Sequence, residues 1–161
     1  MVGTRIKDFF AQILVVVVLI GAVWSLALGA EPVKAVNSES GVALKGYDPV
    51  AYFTVGEATP GAAQYTSSWQ GAAYRFISAA HLEQFKAEPE KYLPQYGGYC
   101  AYAMSLNRIA DIDPDRWAVV DGKLYLNNNF LAHSLWSVGK GGNIAAADKN
   151  WAVWPKTPLD G

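Results

Sequence analysis

Residues Trp117 to Asn127 read WAVVDGKLYLN, and two runs of β-favouring residues in them are separated by Asp121-Gly122 alone. A two-residue type I′ turn needs both central residues at positive φ, which Asp-Gly supplies at little cost, so the stretch predicts a tight β-hairpin. The same pattern recurs upstream. Trp69-Gln70-Gly71-Ala72-Ala73-Tyr74 parallels Val120-Asp121-Gly122-Lys123-Leu124-Tyr125 at a spacing of 51 residues. Alternating aromatic and small or polar residues in Tyr65 to Trp69 and Ala73 to Ile77 predict a first hairpin about Gln70-Gly71.

Both hairpins run into a helical pattern. Ser78 stands where a helix N-cap belongs, and AAHLEQFKAE behind it places Leu82 and Phe85 on one face. FLAHSLWSVG follows the second hairpin, and the glycines between positions 139 and 142 predict a break before a last helix, IAAADKNWAVW, that stops ahead of Pro155. The expected fold is α+β: a small single domain of two β-hairpin-plus-helix units packed together, preceded by an N-terminal apolar helix. His81 lies seven residues after Tyr74 and His133 eight after Tyr125, so the histidines miss equivalence by one and their near match is ascribed to chance.

Arg5 and Lys7 precede an apolar run from Ile13 to Ala30 that ends in small residues. That pattern predicts a signal peptide or an uncleaved membrane anchor over residues 1–30, and an extracytoplasmic or periplasmic location, soluble after cleavage or tethered to the inner membrane. Residues 31–40, EPVKAVNSES, carry no helical or strand period and are expected to form a flexible tether. The domain proper is then 41–155, with a C-terminal tail at 156–161.

Thirteen Lys and Arg residues against 14 Asp and Glu leave a formal charge of −1. The basic residues are scattered singly, which excludes a phosphate-backbone binder and hence a nucleic-acid partner. The one cysteine cannot form an internal disulfide, so stability must come from packing.

Chemically soft side chains concentrate in His81 to Tyr102, HLEQFKAEPEKYLPQYGGYCAY. His81 and Cys100 are the candidate metal ligands, with Met104 four residues on and on the same face if Tyr99 to Leu106 is helical. Copper or iron suits such donors, whereas a closed zinc site needs four ligands at spacings this chain lacks. The alternative is a buried cysteine beside a packing methionine. Tyr92, Tyr96, Tyr99 and Tyr102 are candidates to line a pocket or an interaction surface. Asp111, Asp113 and Asp115 begin like a calcium loop, but Arg116 stands where glycine is needed and Gly122 where the bidentate glutamate belongs. Asp48 precedes Pro49 and caps a short helix there. No cation flanks Cys100 in the sequence, so thiol catalysis has no visible activation and a non-catalytic protein is expected.

Asp48-Pro49-Val50, Tyr74-Arg75-Phe76-Ile77-Ser78, Phe85, Pro89, Tyr92 and the YGGYCAYA run from Tyr96 to Ala103 together resemble the YHS domain family. Within it, GYDPVAYF, YGGYCA, WAVVDGKLYLN and a late AD…W segment resemble the exported bacterial branch, over about Gly41 to Pro155. Metal-handling members carry a cysteine after Asp-Pro-Val and two more in Phe-Cys-Ser-x-x-Cys. In this chain those places hold Ala51, Ile77 and His81, so two of the ligands are lost and one is exchanged for another ligand type. The resemblance implies a small α+β domain associated with metal handling. It leads to two expectations: a domain that binds copper, iron or a metal-containing partner through His81 and Cys100, or an envelope interaction module without metal.

Overall fold

The computed structural model describes residues 32–157. The expected signal or anchor segment lies outside them. Among the described residues no helix is long and apolar enough to cross a membrane.

The domain is a mixed α+β fold of eight short strands, six α-helices and two short 3-10 turns, Leu44–Gly46 and Gln95–Gly98, in the described region. The strands are β1 (Val33–Lys34), β2 (Ser38–Glu39), β3 (Val42–Ala43), β4 (Ala62–Trp69), β5 (Ala72–Phe76), β6 (Asp113–Val120), β7 (Lys123–Asn127) and β8 (Lys156–Thr157). The helices are α1 (Ala51–Thr54), α2 (Ala79–Ala87), α3 (Pro89–Tyr92), α4 (Ala101–Ser105), α5 (Phe130–Val138) and α6 (Lys140–Val153). Strands pair in the order β2-β3-β5-β4, with separate pairs β6-β7 and β1-β8.

The two hairpins are built alike, residue for residue. Gln70 and Gly71 take φ of 50° and 76°, Asp121 and Gly122 50° and 73°, the positive-φ pair that lets a two-residue turn follow the right-handed twist of its strands. Each hairpin carries an irregularity at the same place, between Ala62 and Thr66 in β4 and between Asp113 and Trp117 in β6. Each runs into a nine-residue helix whose N-cap side chain accepts from a backbone N–H three residues on, Ser78 from His81 and Asn129 from Ala132.

The likeness extends upstream of the hairpins, beyond the echo visible in the sequence. Leu44, Lys45 and Gly46 form a run of three positive φ values (53°, 53°, 83°), and so do Tyr96, Gly97 and Gly98 (57°, 61°, 81°). Val42 pairs in parallel with Ala73, and Pro94 with Leu124. The spacing is 52 residues before the first short helix of each repeat and 51 after it, so one residue is dropped in the following loop.

The core has two centres. One gathers Phe76, Tyr74, Phe85, Tyr52 and Val50 with Leu124 and Leu126 of β7. The other gathers Met104, Trp136, Tyr96 and Ala147 with Tyr125 of β7. β7 therefore presents alternate residues to opposite centres and is buried on both faces, the reason its sequence is apolar with little alternation.

Three expectations are corrected. Residues 33–40 are docked: Val33 N–H donates to Pro155 O (3.1 Å), Ala35 N–H to Thr157 O (2.9 Å) and Asn37 N–H to Gly97 O (2.8 Å), with Val36 buried. Periodicity over so short a segment could not announce pairing with partners far along the chain. The C-terminal tail likewise begins as a strand, Lys156–Thr157 lying parallel to β1. The break expected over positions 139–142 narrows to Gly139, and α6 runs through Gly141 and Gly142. Asn143 donates its side-chain amide to Trp136 O at 3.0 Å, tying the new helix to the end of the old one.

Candidate functional site

Asp48 is wholly buried, and its two carboxylate oxygens receive four donors. Oδ1 accepts from the N–H groups of Val50 (2.7 Å) and Ala51 (3.2 Å) at the start of α1. Oδ2 accepts from Ile77 N–H (2.8 Å), just past β5, and from His81 Nδ1–H (2.7 Å) on α2. A buried carboxylate must be satisfied by donors of this kind. One side chain thus ties the short helix, the hairpin end and α2 together.

The carboxylate, an acceptor only, also fixes the proton of His81 on Nδ1. The other ring nitrogen, Nε2, lies toward Thr54, and 12% of the His81 side chain is accessible. Thr54 Oγ1 lies 3.3 Å from Nε2 and 3.0 Å from Val50 O. Its single hydroxyl proton serves one of them at a time, and when it is given to Val50 O the imidazole nitrogen is left as a free donor of electrons.

Cys100 is buried in a separate polar cluster. Its Sγ accepts from Ala103 N–H at 3.5 Å and from Asn128 N–H at 3.3 Å, and its S–H faces Asn127 Oδ1 at 3.8 Å. Asn127, also fully buried, accepts from Tyr102 N–H (3.1 Å), and its amide nitrogen lies 3.5 Å from His133 Nδ1. Burial holds His133 below the ordinary histidine range, aided by the charges of Arg116 and Lys140. Its imidazole is accordingly favoured in the neutral form.

The sequence-predicted ligands therefore fall in different places. His81 bonds to Asp48 and Thr54, Cys100 to Asn127, Asn128 and Ala103, and the two share no hydrogen-bond partner. Met104 lies on α4, which Cys100 caps at its N-terminus, and it is fully buried in the second core centre. Among the described residues no group of three or more His, Cys, Asp and Glu side chains is placed to hold a metal. His81 is thus one imidazole backed by a carboxylate, and Cys100 makes its hydrogen bonds in a different cluster.

Tyr92, Tyr96 and Tyr99 are buried rather than displayed, and Tyr102 is half-buried. Their rings pack on other aromatics, Tyr92 on Phe53, Tyr96 on Tyr125 and Trp151, and Tyr99 on Trp151. Tyr96 alone of the four lines a cavity of about 420 Å³, with Gln70, Tyr74, Gln95, Asp148 and Trp151. Its hydroxyl donates to Asp148 Oδ1 at 2.9 Å, and burial followed by that hydrogen bond pushes it well above the usual phenol range. Neither His81 nor Cys100 borders this cavity.

Sequence reasoning found Asp48 as a helix cap and missed it as the partner of His81, and it missed Asn127, Asn128 and Thr54 altogether. One signal was available. Gly46-Tyr47-Asp48 and Gly98-Tyr99-Cys100 are spaced by 52 residues and extend the echo of the hairpins. Comparison with known protein families, curated proteins and solved structures finds no match to this chain.

Proposed function

We propose that this chain is an extracytoplasmic, YHS-like, non-catalytic binding domain in which His81 supplies one imidazole ligand to copper or iron, carried as an ion or held in a metal-containing partner. The carrying observation is the 2.7 Å bond from His81 Nδ1–H to the buried Asp48 carboxylate. Metal-ligating histidines characteristically donate their second ring N–H to a carboxylate, which sets the tautomer, orients the ring and raises its basicity. Cys100, buried and hydrogen-bonded in another cluster, is left out of the ligand set in this reading. Coordination by one side chain calls for a metal whose other ligands come from elsewhere.

A copper(II)–iminodiacetate complex has open positions and stands in for such a metal. Titrated into the full-length protein and followed by NMR, it is expected to broaden the resonances around His81. His81→Ala should remove the effect and Asp48→Asn weaken binding roughly 10- to 100-fold, the usual cost of losing a carboxylate behind a ligand. Unperturbed His81 resonances at saturating complex would sink the proposal. A truncation starting at Gly41 is unsuitable, since it deletes β1 and β2.

A further inference from the structure

The repeat supplies an internal control on which surface residues the fold requires. The helix α5 exposes four large apolar side chains: Phe130 (69% exposed), Leu131 (65%), Leu135 (44%) and Val138 (91%). Leu131, Leu135 and Val138 follow one another at i, i+4 and i+7 and so share a face. The positions 51 residues earlier, in α2, are Ala79, Ala80, Gln84 and Ala87, all exposed. The inward positions agree, Phe85 and Trp136 both being fully buried. The architecture is thus satisfied by small or polar residues at those four sites, and the large apolar ones in α5 answer to something outside the fold.

We propose that α5 docks on the interface of an anionic membrane. The helix carries no charged residue, while α2 carries Glu83 and Lys86. Two cations flank it: Arg116 lies 6.0 Å from the Phe130 ring, and Lys140 follows its C-terminus, 5.9 Å from the Trp136 ring. Asp113 approaches Arg116 at 3.4 Å on an exposed edge and offsets part of its charge. An apolar helix face with basic flanks matches lipid headgroups above acyl chains. A protein partner is favoured less. Nine residues of helix span roughly 13 Å at 1.5 Å each, and a stable protein interface takes about 800 Å² from each side. A second copy of this chain would bring like charges together. The run Ile13 to Ala30, read as a signal peptide or an anchor, would in the second case tether the chain to lipid, where a small apolar face suffices.

The test labels the full chain with an environment-sensitive fluorophore at Val138→Cys and, separately, at the matching site Ala87→Cys, Cys100 being too buried to compete. Vesicles of phosphatidylcholine, with or without phosphatidylglycerol, carry a nitroxide-bearing lipid as quencher. Quenching is expected at position 138 and not at 87, with binding roughly tenfold tighter to the phosphatidylglycerol vesicles. Transferring the residues of α2, as Phe130→Ala, Leu131→Ala and Leu135→Gln, should abolish quenching while leaving the melting temperature unchanged. Absence of quenching at 138, equal quenching at both sites, or a vesicle-free dimer that protects position 138 would each overturn the proposal. The mass of the isolated protein reports separately on the anchor: a chain cleaved after residue 30 that still binds added vesicles ends the anchor reading alone.

Discussion

Asp48 and Cys100 occupy the same position in the two halves of the domain. Each follows a Gly-Tyr pair and a run of three positive φ values. Each donates its own N–H to a loop carbonyl, Asp48 to Thr59 O at 2.9 Å and Cys100 to Ala110 O at 3.0 Å. Each side chain accepts from the N–H three residues on and from the first N–H beyond the hairpin, that of Ile77 or Asn128. The shared frame asks for an acceptor at this point. A carboxylate in the first half can also engage a histidine ring, while a thiol in the second works through Asn127.

Loss of that acceptor should be costly in both halves and costlier in the first. Asp48→Ala strands several buried donors and removes the partner of His81, for an expected loss of about 3–5 kcal/mol. Cys100→Ala leaves the N–H groups of Ala103 and Asn128 without their acceptor, for about 1–3 kcal/mol. Urea unfolding of the two variants checks the order. A Cys100→Ala loss equal to or above that of Asp48→Ala would contradict it.

The thiol of Cys100 should be inert in the folded state, since the residue is 1% exposed. A chromogenic thiol reagent is expected to react with it only as fast as the protein unfolds, and immediately in denaturant. Rapid stoichiometric reaction with the native protein would show that the cluster opens.

The turn at residues 96–98 admits glycine for two reasons. Gly97 has φ +61°, and a Cβ there would collide with the carbonyl of Ala35 and press on Trp151. Gly41 has φ +78° but open space around it. Gly97→Ala is expected to lose about 1–3 kcal/mol and to loosen β1, whereas Gly41→Ala pays only the conformational cost of about 1 kcal/mol. Thermal melts of the pair, with hydrogen exchange at Asn37, would show whether contact or conformation dominates.

His133 should reveal itself in pH titration. Its folded-state midpoint lies below 6.5, through burial first and then through Arg116 and Lys140. Between that midpoint and 6.5 the unfolded chain holds the proton and the folded chain does not. Stability therefore falls as pH drops through this window and is indifferent to His133 above it. NMR titration should place the midpoint below 6.5, and Lys140→Gln should move it upward. A midpoint unmoved by that change would place Lys140 too far away to act on α5.

Acid should release the N-terminal segment. Burial of Asp111 works against its ionisation, but hydrogen bonds from Lys45, Asn37 and Ile112 N–H and the Lys45 charge outweigh it and hold the carboxyl below 3.8. The lowered midpoint makes its contribution fully present above that value and lost as pH falls through the folded-state midpoint. Asp111→Asn is expected to flatten this part of the acid-unfolding curve, with the change concentrated in exchange at Asn37. An unchanged curve would mean that the exposed Lys45–Asp111 pair contributes little.

The sequence by itself determined the local pieces. Gln70-Gly71 and Asp121-Gly122 had to turn tightly because few residues accept two successive positive φ values, and Ser78 had to start a helix because its hydroxyl meets an orphan N–H. Even the repeat was legible at the hairpins, where a turn glycine and a tyrosine three residues on recur at a spacing of 51, Gly71 and Tyr74 against Gly122 and Tyr125. Tertiary structure alone decided who meets whom. His81 pairs with Asp48, 33 residues away, and not with Cys100, nearer in sequence, because the ring follows the packing of α2 against its own hairpin. β7 lies between two core centres, and residues 33–40 find strand partners at both ends of the domain, for the same reason. Conformational preference acts over a few residues, whereas burial and hydrogen-bond satisfaction are settled between segments that the chain brings together only when folded.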